Sequence, residues 1–155
     1  MNIGVIVYSQ SGNTLEVCET LKARLLGEGH AVTLDQVTVV GARTPKTREF
    51  ELEGKPAVDS YDAVVFASSV EAFSLCPVMS RYLEQAGSLQ GKQVACVVTQ
   101  QFPYPWMGGN RAIKQMKKAC QSKGGVIRAT GIVNWAKSRR AATMAEAVDR
   151  LTKPF

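Results

Sequence analysis

Val5-Ile6-Val7-Tyr8-Ser9-Gln10-Ser11-Gly12-Asn13-Thr14 is the stretch on which the fold turns. A strand-like apolar run enters a tight polar loop, and the stripe Val17, Leu21, Leu25 that follows has the four-residue spacing of a helix. A strand, a loop and a helix start in that order expose backbone N–H groups at the positive end of the helix dipole, which together make an anion site. Ser9, Ser11 and Thr14 add hydroxyls, Gln10 and Asn13 add amides, and Gly12 lets the backbone approach closely or take a positive φ. No Lys or Arg lies in the loop, so a phosphate there would be held by neutral donors and the dipole. Ser, Asn and Thr also suit a plain turn and N-cap, so the loop alone leaves both readings open. It lacks the Gly-Lys-Ser/Thr ending of a nucleoside triphosphate loop and the three spaced glycines of a dinucleotide fold.

Outward from this loop, five segments read as strands: Ile3 to Tyr8, Ala31 to Asp35, Ala63 to Ala67, Gln93 to Thr99 and Val126 to Asn134. All but the second are nearly continuous apolar runs, at least in part, as in strands covered on both faces; Ala31 to Asp35 alternates like an edge strand. Helical stripes lie between them. Met79, Leu83 and Ala86, then Ile113, Met116 and Cys120, then Met144, Val148 and Leu151 repeat at three and four. Gly27, Gly87 and Gly124 read as stop signals, and Pro77 suits a first helical turn. The alternation predicts an α/β protein, a doubly wound five-stranded parallel sheet, as one domain over residues 1–155. The polar segment from Val37 to Asp62, with Pro45, Gly54 and Pro56, takes no long helix; a short helix or a small hairpin around Phe50 to Leu52 is expected.

With its hydroxyls grouped around Gly12-Asn13-Thr14, the segment Tyr8 to Thr14 resembles the phosphate-binding signature of flavodoxins, and the element order resembles that family along nearly the whole chain. The resemblance implies strand order 2-1-3-4-5, for which flavodoxins are themselves the standing example, and FMN in the crevice between the first and third strands. No long insertion interrupts the fifth strand, so the chain looks like a short-chain member.

Ligands of such sheets sit beyond the carboxyl ends of the strands. In flavodoxins the loops after the third and fourth strands hold the isoalloxazine. The matching residues here are Ser69, Val70, Glu71, Ala72 and Phe73 in one loop, and Thr99, Gln100, Gln101, Phe102, Tyr104, Trp106 and Gly108 in the other. Rings at Phe73, Phe102, Tyr104 and Trp106 could cover the flavin faces, while backbone amides and the Gln100 and Gln101 amides read its polar edge. Packing of the loop onto the core explains any one of these aromatics equally well. Ser68 to Phe73 contains no glycine, whereas many flavodoxins flip a flexible peptide there to meet reduced N5.

The resemblance implies an FMN-binding electron carrier with no catalytic side chain; an NAD(P)H-dependent FMN or quinone reductase of the same fold is the alternative. The net charge of +6, from 19 basic and 13 acidic residues, departs from typical acidic flavodoxins and points to redox partner proteins with acidic faces. Lys114, Lys117, Lys118 and Lys123 cluster without interleaved aromatics or a nucleic-acid motif, so no nucleic acid is expected. Nor is a membrane or an export signal, which makes the cytoplasm the default location, for a monomer or weak dimer. Cys18, Cys76, Cys96 and Cys120 and the lone His30 lack metal-site spacing, so no metal is expected; Cys76, next to Pro77 at a strand-to-helix loop, is the thiol that could be exposed, with packing the favoured reading.

Overall fold

In the computed structural model, which describes residues 1–44 and 49–155, strands and helices alternate: β1 (Asn2–Val7), α1 (Asn13–Gly27), β2 (Ala31–Gln36), β3 (Ala63–Glu71), β4 (Ser74–Leu75), α2 (Pro77–Gln85), β5 (Gln93–Gln100), α3 (Gly109–Ser122), β6 (Val126–Asn134) and α4 (Arg140–Thr152). Five strands pair in parallel in the order β2-β1-β3-β5-β6, which is 2-1-3-4-5 counted over the parallel strands. The expected sheet is therefore present. One strand was not anticipated: β4 pairs antiparallel with the end of β3.

The period of two along each central strand divides the core into two layers. Ile3, Val5 and Val7 join Ala63, Val65 and Val97 beneath Val17, Leu21 and Leu25 of α1 and Val148 and Leu151 of α4. Ile6, Val64, Phe66, Cys96 and Val98 pack on the other face against Met79, Tyr82 and Leu83 of α2 and Met116 and Cys120 of α3. Both faces of β1, β3 and β5 are thus dry, which is why their sequences read as unbroken apolar runs. Full burial of each large side chain favours folding by about 1.5–3 kcal/mol.

Several boundaries differ from expectation. Gly27 lies inside α1, and the positive-φ residue that ends the helix is Gly29. The first half of β6 is exposed on alternate residues because it has a neighbour on one side only. In the segment after β2, Val39 bridges Leu52 antiparallel and the Val40 N–H donates to the Glu51 carbonyl at 2.9 Å, so the hairpin is the form found among the described residues. Residues 45–48 of that segment, Pro45 included, lie outside them. Among the described residues no helix is long and apolar enough to cross a membrane.

Candidate functional site

At the carboxyl ends of β1, β3 and β5 the chain leaves a cleft of about 360 Å³, lined by Gln10, Ser11, Asn13, Thr14, Ser69, Val70, Glu71, Thr99, Gln100 and Gln101. All ten were expected at the site, and they come from three separate stretches of chain: the β1–α1 junction, the end of β3, and the end of β5 with the residue after it. Ser9, Gly12, Ala72, Phe73, Phe102, Tyr104, Trp106 and Gly108 lie outside the lining and flank or shape it.

The loop after β1 is built around Gly12, whose φ of 92° is one that residues with a Cβ rarely adopt. Its N–H donates to Ser9 Oγ at 3.1 Å. The first helical bond of α1 runs from the Glu16 N–H to the Gly12 carbonyl at 3.0 Å, and no side chain caps this end. The amides of Asn13, Thr14 and Leu15, ahead of that bond, form an uncapped donor cluster. Thr14 is anchored from below, its hydroxyl 2.8 Å from that of Thr99 at the end of β5.

The second expected loop is mostly strand. Ser68 to Glu71 continue β3, Val70 pairs with Leu75 and Glu71 with Ser74, and only Ala72 and Phe73 form the turn. Both have positive φ, 52° and 61°, as a two-residue type I′ hairpin requires. The left-handed conformation is therefore adopted here without glycine. Gln115 of α3 holds the outgoing arm, its Oε1 accepting from the Leu75 N–H at 2.8 Å and the Ser74 hydroxyl at 3.0 Å.

The third loop is organised by Gln100. Its Nε2 donates to the carbonyls of Phe102 and Tyr104, each at 2.7 Å, and the Trp135 N–H donates to its own carbonyl at 2.8 Å. The N–H₂ group of Gln100 is thus engaged in shaping the loop, its Oε1 is buried with no hydrogen-bond partner among the described residues, and Gln101 is exposed at the cleft. Gly108, at φ 119°, lets the loop pass over the hairpin; a Cβ there would lie 2.7 Å from Val70 Cγ1 and 2.9 Å from Phe73 Cα.

The four rings stack in pairs. Phe73 and Phe102 have centroids 5.2 Å apart and planes 17° apart; Tyr104 and Trp106 are 5.8 Å and 5° apart. All are exposed, Trp106 by 73%. Arg139 lies over Tyr104 at 5.5 Å.

Beneath the cleft wall is a feature the sequence reading missed. Arg43 is buried and meets Glu71 with both arms, Nη2 to Oε1 at 2.7 Å and Nη1 to Oε2 at 3.1 Å. The Cys76 thiol donates to Glu71 Oε2 at 3.2 Å, and Gln10 Nε2 donates to the Arg43 carbonyl. Burial pushes the Glu71 carboxyl up, but the Arg43 and Cys76 hydrogen bonds and the Arg43 charge outweigh it and hold the group below its ordinary range. Burial, with Glu71 adding to it, pushes the Cys76 thiol up to about 11. Cys76 is fully buried, so of the two readings of this thiol packing is the one found. Arg43 lies in the polar segment that carried no periodicity, and only its charge marked it.

The geometry defines a class by its fold. No protein-family model and no curated protein sequence matches the chain. Among solved structures it is similar to the flavodoxin of Streptococcus pneumoniae TIGR4, at 16% identity and TM-score 0.67 with all of both chains covered. Flavodoxin 2 of Bacillus cereus is similar at 16% identity and TM-score 0.69, again over both whole chains. A flavodoxin, WrbA-like protein of Agrobacterium tumefaciens is similar at 13% identity and TM-score 0.72, over 95% of this chain and 90% of its own. The fold is flavodoxin-like.

Proposed function

We propose that the chain is an FMN-binding electron carrier. The observation that carries this reading is the convergence of the β1–α1 junction and the carboxyl ends of β3 and β5 on one cleft that pairs an uncapped helix N-terminus with a rim of flat rings. The donor set fits the cofactor. The Asn13, Thr14 and Leu15 amides and the Ser9 and Ser11 hydroxyls suit a phosphate without needing a cation, and the β3–β4 hairpin and the loop after β5 flank the space for a flat ring system. When bound, FMN supplies the capacity to accept and release electrons.

The chain's own residues bind and orient. Thr14, tied to Thr99, fixes the first turn of α1 against β5. Gln100 sets the path of the aromatic loop, and Gln115 sets that of the hairpin. The exposed rings, with Arg139 beside them, form the face offered to a partner protein, and the excess of basic residues suits a partner with an acidic face. In this reading the protein is cytoplasmic and works as a monomer or weak dimer.

The test is the visible spectrum of the purified protein and titration of apoprotein with FMN, followed by anaerobic addition of NADH and NADPH. A carrier shows a bound-flavin spectrum and slow direct oxidation of either nucleotide. The exposed Tyr104 and Trp106 pair would also suit stacking of a second flat substrate, as an NAD(P)H-dependent FMN or quinone reductase needs. Steady turnover with a quinone near about 10 per second would establish that reading instead.

A further inference from the structure

From one buried position Arg43 meets two residues of the cleft wall, Gln10 and Glu71. Its carbonyl accepts from Gln10 in the loop after β1. Its guanidinium, whose side chain is 2% exposed, grips Glu71 at the end of β3, with Nη1 3.9 Å from the Cys76 sulfur at the start of α2. The Phe50 ring packs on the Arg43 guanidinium at 5.3 Å and on Arg81 at 4.1 Å, and Arg81 Nη1 donates to the Phe50 carbonyl at 2.6 Å. Glu71 is the one carboxylate among the residues lining the cleft.

We propose that Arg43 is a positioning and charge-compensating residue: it clamps the loop after β1 to the β3–β4 hairpin and cancels the Glu71 carboxylate where that side chain borders the cofactor cleft. The inference rests on the FMN reading of the same cleft.

The clamp follows from geometry. A fork of two parallel N–H···O bonds fixes both distance and plane, which one ammonium cannot do. It joins a segment without regular structure to a hairpin whose turn residues both hold unfavourable φ angles, so the hairpin is held from outside its own sequence. The charge role follows from placement. A part-buried carboxylate at the cleft wall would oppose electron uptake by a ring that becomes anionic when reduced, and the guanidinium 2.7 Å away offsets that opposition.

The two halves of the pair therefore have opposite signs. Arg43→Met leaves Glu71 uncompensated; Glu71→Gln leaves Arg43 uncompensated; the double variant removes both charges. The experiment is FMN titration and anaerobic redox titration of wild type, R43M, E71Q and R43M/E71Q at pH 8, where an unpaired Glu71 is ionised. Reduced FMN is expected to bind R43M at least tenfold less well relative to oxidised FMN than it binds wild type, a two-electron midpoint lower by about 30 mV. E71Q should move the midpoint in the opposite direction, and the double variant should return it close to the wild-type value. R43M should also weaken oxidised FMN at least tenfold through loss of the clamp, a loss that R43M/E71Q retains.

Shifts of both single variants in the same direction, or no shift in either, would overturn the charge role, and unchanged oxidised-FMN affinity in R43M would overturn the clamp. E71Q is nearly isosteric and carries the sign test alone if R43M does not fold. Failure of the wild-type protein to bind FMN would instead overturn the underlying reading.

Discussion

Thr14 and Thr99 are joined by a buried hydroxyl pair, Oγ1 to Oγ1 at 2.8 Å, across 85 residues of sequence. The bond ties the uncapped end of α1 to the carboxyl end of β5, so the donor cluster cannot shift relative to the sheet. Removing either hydroxyl leaves the other buried and short of a partner, at a cost of about 1–3 kcal/mol.

Phosphate recognition is the first consequence. The protein is expected to bind FMN more than about tenfold tighter than riboflavin, about 1.4 kcal/mol, because the loop answers a phosphate that riboflavin lacks. Thr14→Ala and Ser11→Ala should each weaken FMN more than riboflavin. Titration of apoprotein with both ligands checks this, and equal affinities in the wild type would remove Ser9 to Thr14 from that role.

The hairpin turn offers a stability test. Ala72 and Phe73 both occupy the left-handed region, which costs a residue with a Cβ about 1–2 kcal/mol. Ala72→Gly removes that strain and adds back some unfolded-state entropy. A net gain in unfolding free energy of about 0.5–1 kcal/mol is expected in urea denaturation. A loss would show that the Ala72 methyl makes contacts outweighing its backbone strain.

How far these features were readable in advance depends on what sets them. Val5, Val7, Val65 and Val97 are buried because helices cover both sheet faces, and uninterrupted apolar runs state that directly. The loop after β1 was legible because Gly12 and its hydroxyl neighbours act locally, through backbone φ and nearby donors. Arg43 was not, because its role comes from Glu71, 28 residues away, and from a segment whose path is set by tertiary contacts. The Ala72–Phe73 turn was read as a loop because two residues with side chains at positive φ run against local preference, and pairing of Val70 with Leu75 overrides it.

Acid and base should both destabilise the protein, for separate reasons. The folded-state pKa of Glu71 is lowered, so its contribution is present above the unfolded value of about 4.3 and is lost as pH falls through the folded value. Cys18 and Cys76 are raised by burial, so the stability their neutral thiols contribute is complete below about pH 8.5 and declines as pH rises beyond it. Urea midpoints from pH 3 to 10 should show a plateau between these limits, and E71Q should flatten the acid side. An unchanged acid limb in E71Q would assign that limb to other carboxylates.

The net charge of +6 makes a prediction about reduction whose sign can be read from salt alone. Reduced FMN tends to carry an anionic ring, and a positively charged protein favours that anion where an acidic one repels it. Full reduction is therefore expected at a less negative potential than in acidic flavodoxins. Local groups do not cancel this, because Glu71, the carboxylate bordering the cleft, is matched by Arg43 at 2.7 Å. The remaining basic residues act mainly from the exposed surface, where range is limited by screening: the Debye length is about 30 Å at 0.01 M salt and about 3 Å at 1 M. Added salt should hence move the midpoint for full reduction to more negative values, the reverse of what it does to a protein with net negative charge. An anaerobic titration at the two salt concentrations reads this difference directly. A midpoint that rises with salt would mean that the charges nearest the cleft are acidic in sum, and that the basic excess of the chain lies too far from the flavin to act on it.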